Sequence, residues 1–188
     1  MDRTIWAGVG IGLAAGLVIG FFAGKGMGSG APPMLPAPPP SDQQPMSPAL
    51  ALQRRIFDNR QVVEREPKNL QAWIALGHDY FDTHQPQLAI DAYAKALELE
   101  PNNSDVLTDQ GVMYRELGNF DKAVANFKKA GTLNPKHVQS AFNLGVVYAN
   151  DLKDKAKAIE AWKRVIAIDP MGPQAEASRK GIEELNQK

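Results

Sequence analysis

The sequence predicts an all-α chain, a solenoid of helical hairpins behind one N-terminal transmembrane helix. Three observations predict it. An uncharged run of 20 residues extends from Ile5 to Gly24. Prolines stand at positions 67, 101, 135 and 170, at intervals of 34, 34 and 35 residues. Between them the same order of apolar and small residues returns at helical spacing, and a period of this size marks a stacked repeat architecture.

The apolar run (IWAGVGIGLAAGLVIGFFAG) is bracketed by Arg3 and Lys25. As a helix it reaches about 30 Å, the thickness of a bilayer's hydrocarbon core. It is longer than the apolar part of a cleaved signal peptide and no Ala-x-Ala site follows it, so residues 1–25 are read as an uncleaved anchor. Gly8, Gly12, Gly16, Gly20 and Gly24 recur every fourth residue. On a helix they form a stripe without side chains, which permits close packing against a second copy or another membrane helix. The short N-terminal tail places the remainder outside the cytoplasm, on a bacterial inner membrane with the C-terminal domain in the periplasm. The flanking charges alone are too few to fix that orientation.

Residues 26–48 (GMGSGAPPMLPAPPPSDQQPMSP) form a Gly/Pro-rich tether. Eight prolines exclude a helix interior and favour an extended chain of about 3.1 Å per residue.

Residues 49–188 carry the repeats, at about 70–103, 104–137 and 138–172. The first contains Trp73, Leu76, Gly77 and Tyr80, then Ala89, Tyr93, Ala96 and Pro101. The second contains Leu107, Gly111, Tyr114, Ala123, Phe127, Ala130 and Pro135; the third has Ala141, Leu144, Gly145, Tyr148, Ala158, Trp162 and Pro170. Glycines 77, 111 and 145, with Ala89, Ala123 and Ala158, allow two antiparallel helices to approach closely. The aromatic residues fill the seam between helices, and each proline closes a second helix. Gly118-Asn119 supplies a left-handed helix stop, and Pro86 suits a first helical turn.

These residues resemble the tetratricopeptide repeat (TPR), W-x2-L-G-x2-Y followed by A-x3-F, A and P. The resemblance implies a right-handed helical solenoid of three full repeats. Four departures stand out: Gln110 in place of leucine, Val165 in place of a small residue, Thr83-His84-Gln85 where a glycine turn is common, and one extra residue expected in the Asn150–Asp154 turn. Both flanks complete the stack. Ala49–Glu66 reads as a leading half-repeat, and Pro173–Asn186 as a capping helix with one polar face.

Composition narrows the function. When Asp2, Arg3 and Lys25 are set aside from the 21 basic and 21 acidic residues, 19 and 20 remain, so no basic stripe points to nucleic acid. The absence of cysteine excludes disulfides, thiolate zinc sites, covalent c-type haem attachment and a cysteine lipid anchor on these residues. His78, His84 and His137 lack metal spacing, and Asp79, Asp82, Glu98 and Glu100 read as solvated helix faces. No catalytic, cofactor-binding or metal site is assigned.

The family implies instead a peptide-binding groove lined by the first helix of each repeat. Carried onto this chain, that face comprises Gln71, Ile74, Ala75, His78 and Phe81; Asp105, Thr108, Asp109, Val112 and Arg115; and Gln139, Phe142, Asn143, Val146 and Ala149. Ile74, Phe81, Val112, Phe142 and Val146 offer apolar anchors, while Asn143 and Arg115 are candidates to bond a peptide backbone. The same lining packs between repeats if no peptide binds. The resulting expectation is a non-enzymatic scaffold or chaperone-like adaptor with a protein or peptide partner. The short half-repeat followed by a W-x2-L-G-x2-Y unit looks like the TPR portion of cytochrome c maturation proteins, which implies holding apocytochrome for haem attachment. A cytosol-facing organelle receptor is the other alternative.

Overall fold

Pro67, Pro101 and Pro135 are each followed two residues later by a side chain that starts the next helix. The computed structural model describes residues 47–187. In it Asn69 caps α2 (Leu70–Asp82) by accepting from the Ala72 amide at 3.0 Å. Asn103 caps α4 (Ser104–Glu116) through the Val106 amide, also at 3.0 Å. His137 caps α6 (Val138–Val146), its Nδ1 accepting from the Ser140 amide at 3.2 Å. Side chains thus satisfy amides that a helix start leaves without partners.

The partner helices are α3 (Pro86–Leu99), α5 (Phe120–Leu133) and α7 (Lys155–Ile168). Pro86 occupies the first turn of α3, where its missing N–H costs nothing. Each hairpin turns through one left-handed residue: His84 (φ 52°), Gly118 (φ 74°) and Lys153 (φ 56°). The expected glycine stop is therefore present in the second repeat, and the other two turns force a side chain into the same conformation. Preceding the hairpins is α1 (Pro48–Arg65), capped by Ser47, with Pro48 as its first residue; α8 (Pro173–Gln187) follows them. Among the described residues the chain is wholly helical, a TPR solenoid of eight helices.

Small-to-large pairing holds each hairpin shut. Tyr93 lies over Gly77, Phe127 over Gly111 and Trp162 over Gly145; a Cβ on Gly111 would come within 2.6 Å of the Phe127 ring. Ala89, Ala123 and Ala158 are fully buried at the same crossings. Trp162 is confined on a second side by Gly181 of α8, where an added Cβ would meet the indole at 2.6 Å. Ile182 and Leu185 pack against this cluster, so α8 caps the stack through one face. At the other end Val63, Ile56 and Val62 of α1 join the core of the first repeat, as a half-repeat should.

The extra residue of the third repeat enters as a π-helical turn, Val147–Asp151, that continues α6. In the first two repeats the turn closes with Gln85 N–H to Tyr80 C=O and Asn119 N–H to Tyr114 C=O, five residues back. In the third, Asp154 N–H reaches Tyr148 C=O, six residues back. The insertion therefore widens the end of the first helix and partly overlaps the expected Asn150–Asp154 turn.

Two polar residues depart from the sequence-based expectation. Asp79 is buried, not on a solvated face; its carboxylate accepts from Arg55 and, at 2.7 Å, from Asn59 Nδ2, which ties α1 to α2. Gln110 is buried too, donating to the Ile90 carbonyl at 3.1 Å and accepting from Asn126 Nδ2 at 2.9 Å. It replaces a leucine contact with a hydrogen-bonded link across α3, α4 and α5. The run 5–24, its glycine stripe and most of the tether lie outside the described residues. Among the described residues no helix is long and apolar enough to cross a membrane.

Candidate peptide-binding groove

Helices α2, α4 and α6 present the expected lining residues at three levels of exposure. Gln71, Asp105 and Gln139 are exposed, and His78 projects with half its side chain in solvent. The apolar anchors Ile74, Phe81, Val112, Phe142 and Val146 are all half-buried, each with one side against a core cluster. They serve the packing between repeats and keep part of their surface in solvent.

Three residues of the expected lining are otherwise engaged. Thr108 is buried, its hydroxyl donating to the Ser104 carbonyl at 2.8 Å, and Ala149 is buried in the third repeat. Both therefore lie beneath the exposed lining rather than in it. Arg115 is half-buried and its Nε donates to Asp151 at 2.5 Å. That guanidinium fixes α4 to the π turn and is committed within the chain. Asn143 remains half-buried, with a buried Nδ2 that has no hydrogen-bond partner among the described residues.

Histidine and carboxylate side chains link the levels of the face. His78 Nε2 lies 3.1 Å from Asp109, His84 Nδ1 3.6 Å from Glu116, and His137 Nε2 2.8 Å from Asp105. All three carboxylates sit on α4, so the middle repeat faces the first through two histidines, of which only His78 is within hydrogen-bond distance, and the third through one. The hydrogen bond to Asp109 raises the His78 pKa above its ordinary value; partial burial opposes this, and Asp82 and Asp79 add to it. Because His137 Nδ1 caps α6, its Nε2 carries the proton donated to Asp105. Among the described residues no group of three His, Asp or Glu side chains converges as a metal site.

A pocket of about 410 Å³ opens on this face, lined by Arg55, His78, Phe81, Asp82, Tyr93 and Asp109. Arg55, Asp82 and Tyr93 were not among the expected site residues. Tyr93 reads from the sequence as a seam filler, which it is, but its phenol gives it a polar end that phenylalanine would lack. Its hydroxyl is buried with no hydrogen-bond partner among the described residues. Burial, reinforced by Asp109 and Asp82, pushes its pKa far up, so it stays protonated. No local signal marks Arg55, which arrives from the preceding half-repeat.

A sequence model of the TPR domain of cytochrome c-type biogenesis protein H matches residues 39–175. The chain belongs to this family. The match spans the whole groove, from Gln71 to Ala149. Outside the biogenesis protein H family, human protein O-mannosyl-transferase TMTC3 is 35% identical over 109 residues, 57% of this chain and 12% of that protein. A small glutamine-rich tetratricopeptide repeat-containing protein 2 of Mycosarcoma maydis is 29% identical over 94 residues, 50% of this chain and 26% of that protein. The chain thus spans a minor part of these relatives' lengths.

Among solved structures, MamA superposes with a TM-score of 0.63 at 22% identity, covering 73% of this chain and 78% of that one. The first TPR of Spaghetti (RPAP3), bound to the HSP90 peptide SRMEEVD, gives 0.58 at 21% identity, with 63% and 90% covered. At these identities the likeness shows a shared fold.

Proposed function

We propose that this chain is a non-enzymatic, membrane-tethered holder of apocytochrome c, presenting an unfolded segment of it for haem attachment outside the cytoplasm. The observation that carries this reading is the family match over residues 39–175, which spans the complete groove. The groove suits such a role, since five half-buried apolar residues can anchor an amphipathic segment and Asn143 retains a donor for its backbone. The chain brings no cysteine, so its part is to hold the substrate rather than exchange thiols with it. In this reading residues 5–24 anchor it in the inner membrane, with Gly8, Gly12, Gly16, Gly20 and Gly24 facing a second membrane helix. Residues 26–46 serve as a spacer.

Titration of fluorescent apocytochrome c and of folded holocytochrome c against the full chain tests the proposal. Apocytochrome should bind and holocytochrome should not, and Phe142→Ala with Val146→Ala should weaken the complex about tenfold or more. Equal binding of both forms, or indifference to the paired substitution, overturns it. A reporter fused after Lys188 that is active only in the cytoplasm would overturn the orientation.

A further inference from the structure

We propose that the pocket between α1, α2, α3 and α4 receives a basic side chain, lysine or arginine, from the segment bound in the groove. The inference rests on the peptide-holding reading above and specifies what that peptide must carry. The charge at the pocket is unbalanced. Asp82 and Asp109 line it with two carboxylates, while its one guanidinium, Arg55, is committed first to the buried Asp79 behind the pocket and lies 4.0 Å from Asp82. His78 hydrogen-bonds Asp109 and adds at most one positive charge, so with Arg55 offset by Asp79 the site stays net negative. An entering cation is attracted, and a carboxylate is repelled.

The second observation is Tyr93. It has no exposed surface, lines the pocket, and its hydroxyl finds no hydrogen-bond partner among the described residues. A buried hydroxyl normally has a partner, because leaving it unpaired is costly. An ammonium or guanidinium group has donors to spare and no acceptor, so it can donate to the phenol oxygen and to Asp82 or Asp109 together. Phe81 forms an apolar wall for the side chain's methylene stem, with its ring available to the cation. The pocket volume of about 410 Å³ admits a side chain of that length.

The test uses the full chain and peptides it selects from a random display library, resynthesised with each lysine or arginine replaced by glutamine. One basic position should dominate, with its loss weakening binding about tenfold. Asp82→Asn and Tyr93→Phe should each weaken the parent peptide several-fold and leave the glutamine peptide unaffected. Both variants keep size and shape, so each should fold. Binding of the parent should also fall as pH is lowered through the His78 transition, since a cation then faces the newcomer, and this fall should vanish in His78→Gln. Groove peptides that are sensitive to Phe142→Ala but lack a critical basic residue, or that prefer an acidic one, overturn the inference while the groove reading stands. If the library yields no peptide sensitive to Phe142→Ala, both readings fall.

Discussion

Trp162 lies with its indole against Gly145, in the space that a methyl group at position 145 would need. The same ring is held on its other side by Gly181, so it has nowhere to retreat. Gly145→Ala should therefore cost about 1–3 kcal/mol, the range for overpacking a core. In Trp162→Leu the added methyl should cost far less, because the ring it strikes is gone. Urea unfolding of the two single variants and the double variant measures this coupling. Additive losses would mean that the contact is not what keeps position 145 a glycine.

Asp79 gives a second prediction, about how the leading half-repeat is held. Arg55→Ala leaves a carboxylate that is 1% exposed with Asn59 as its remaining side-chain donor. Because the Arg55 side chain is itself 59% exposed, water screens part of the loss, and a decrease of about 1–3 kcal/mol is expected. The urea midpoint should fall, and protection of α1 amides from hydrogen exchange should fall with it. An unchanged midpoint would show that α1 is held by its apolar contacts alone.

The repeats were legible because their constraints are local and recur. A glycine under an aromatic ring, an alanine at the crossing and a closing proline each leave a mark at fixed spacing, and Gly118 and Pro86 lie where that spacing requires. Asp79 and Gln110 were not legible. Their burial is offset by Arg55, Asn59 and Asn126, which come from other helices, so nothing near them in sequence separates them from solvated residues. Thr108 and Ala149 were carried into the groove by a positional rule, whereas both are buried, Thr108 bonded to the Ser104 carbonyl and Ala149 within the π turn at Val147–Asp151. The pocket was hidden for a similar reason, since its six residues come from four helices.

Lys153 supplies a prediction of the opposite sign. It adopts φ 56° in the turn before α7, a conformation that costs a side chain but suits glycine. Lys153→Gly should stabilise the protein by about 0.5–1 kcal/mol, the relief of strain exceeding the added freedom of the unfolded chain. Thermal unfolding should show a higher Tm, and a lower one would mean that the lysine makes a compensating contact.

His78 makes stability depend on pH in a defined direction. Its folded pKa is raised above the ordinary value of 6.5, first by the hydrogen bond to Asp109. The groups facing it are Asp79 and Asp82 on α2, Asp109 on α4, Tyr93 on α3 and Arg55 on α1. The folded state holds this proton more tightly than the unfolded state does. The resulting stabilisation is fully present below pH 6.5 and is lost as pH rises through the higher folded value. Wild type should therefore gain stability over His78→Gln on moving from about pH 8 to about pH 6. A difference independent of pH would mean the His78–Asp109 contact is not charge-linked.

Tyr93→Phe separates a binding role from a structural one. If the hydroxyl served the fold, it would have a partner, and its removal would lower stability. It has none among the described residues, and the ring alone fills the space over Gly77. Removing a buried, unpaired hydroxyl relieves a desolvation cost, so Tyr93→Phe should be at least as stable as wild type and up to about 1 kcal/mol more so. A residue that weakens the resting fold and strengthens the complex is the pattern expected where a ligand completes the hydrogen bonding. Urea unfolding read beside peptide affinity decides it: lower stability with unchanged affinity would make Tyr93 a structural residue whose phenol oxygen meets a partner within the chain.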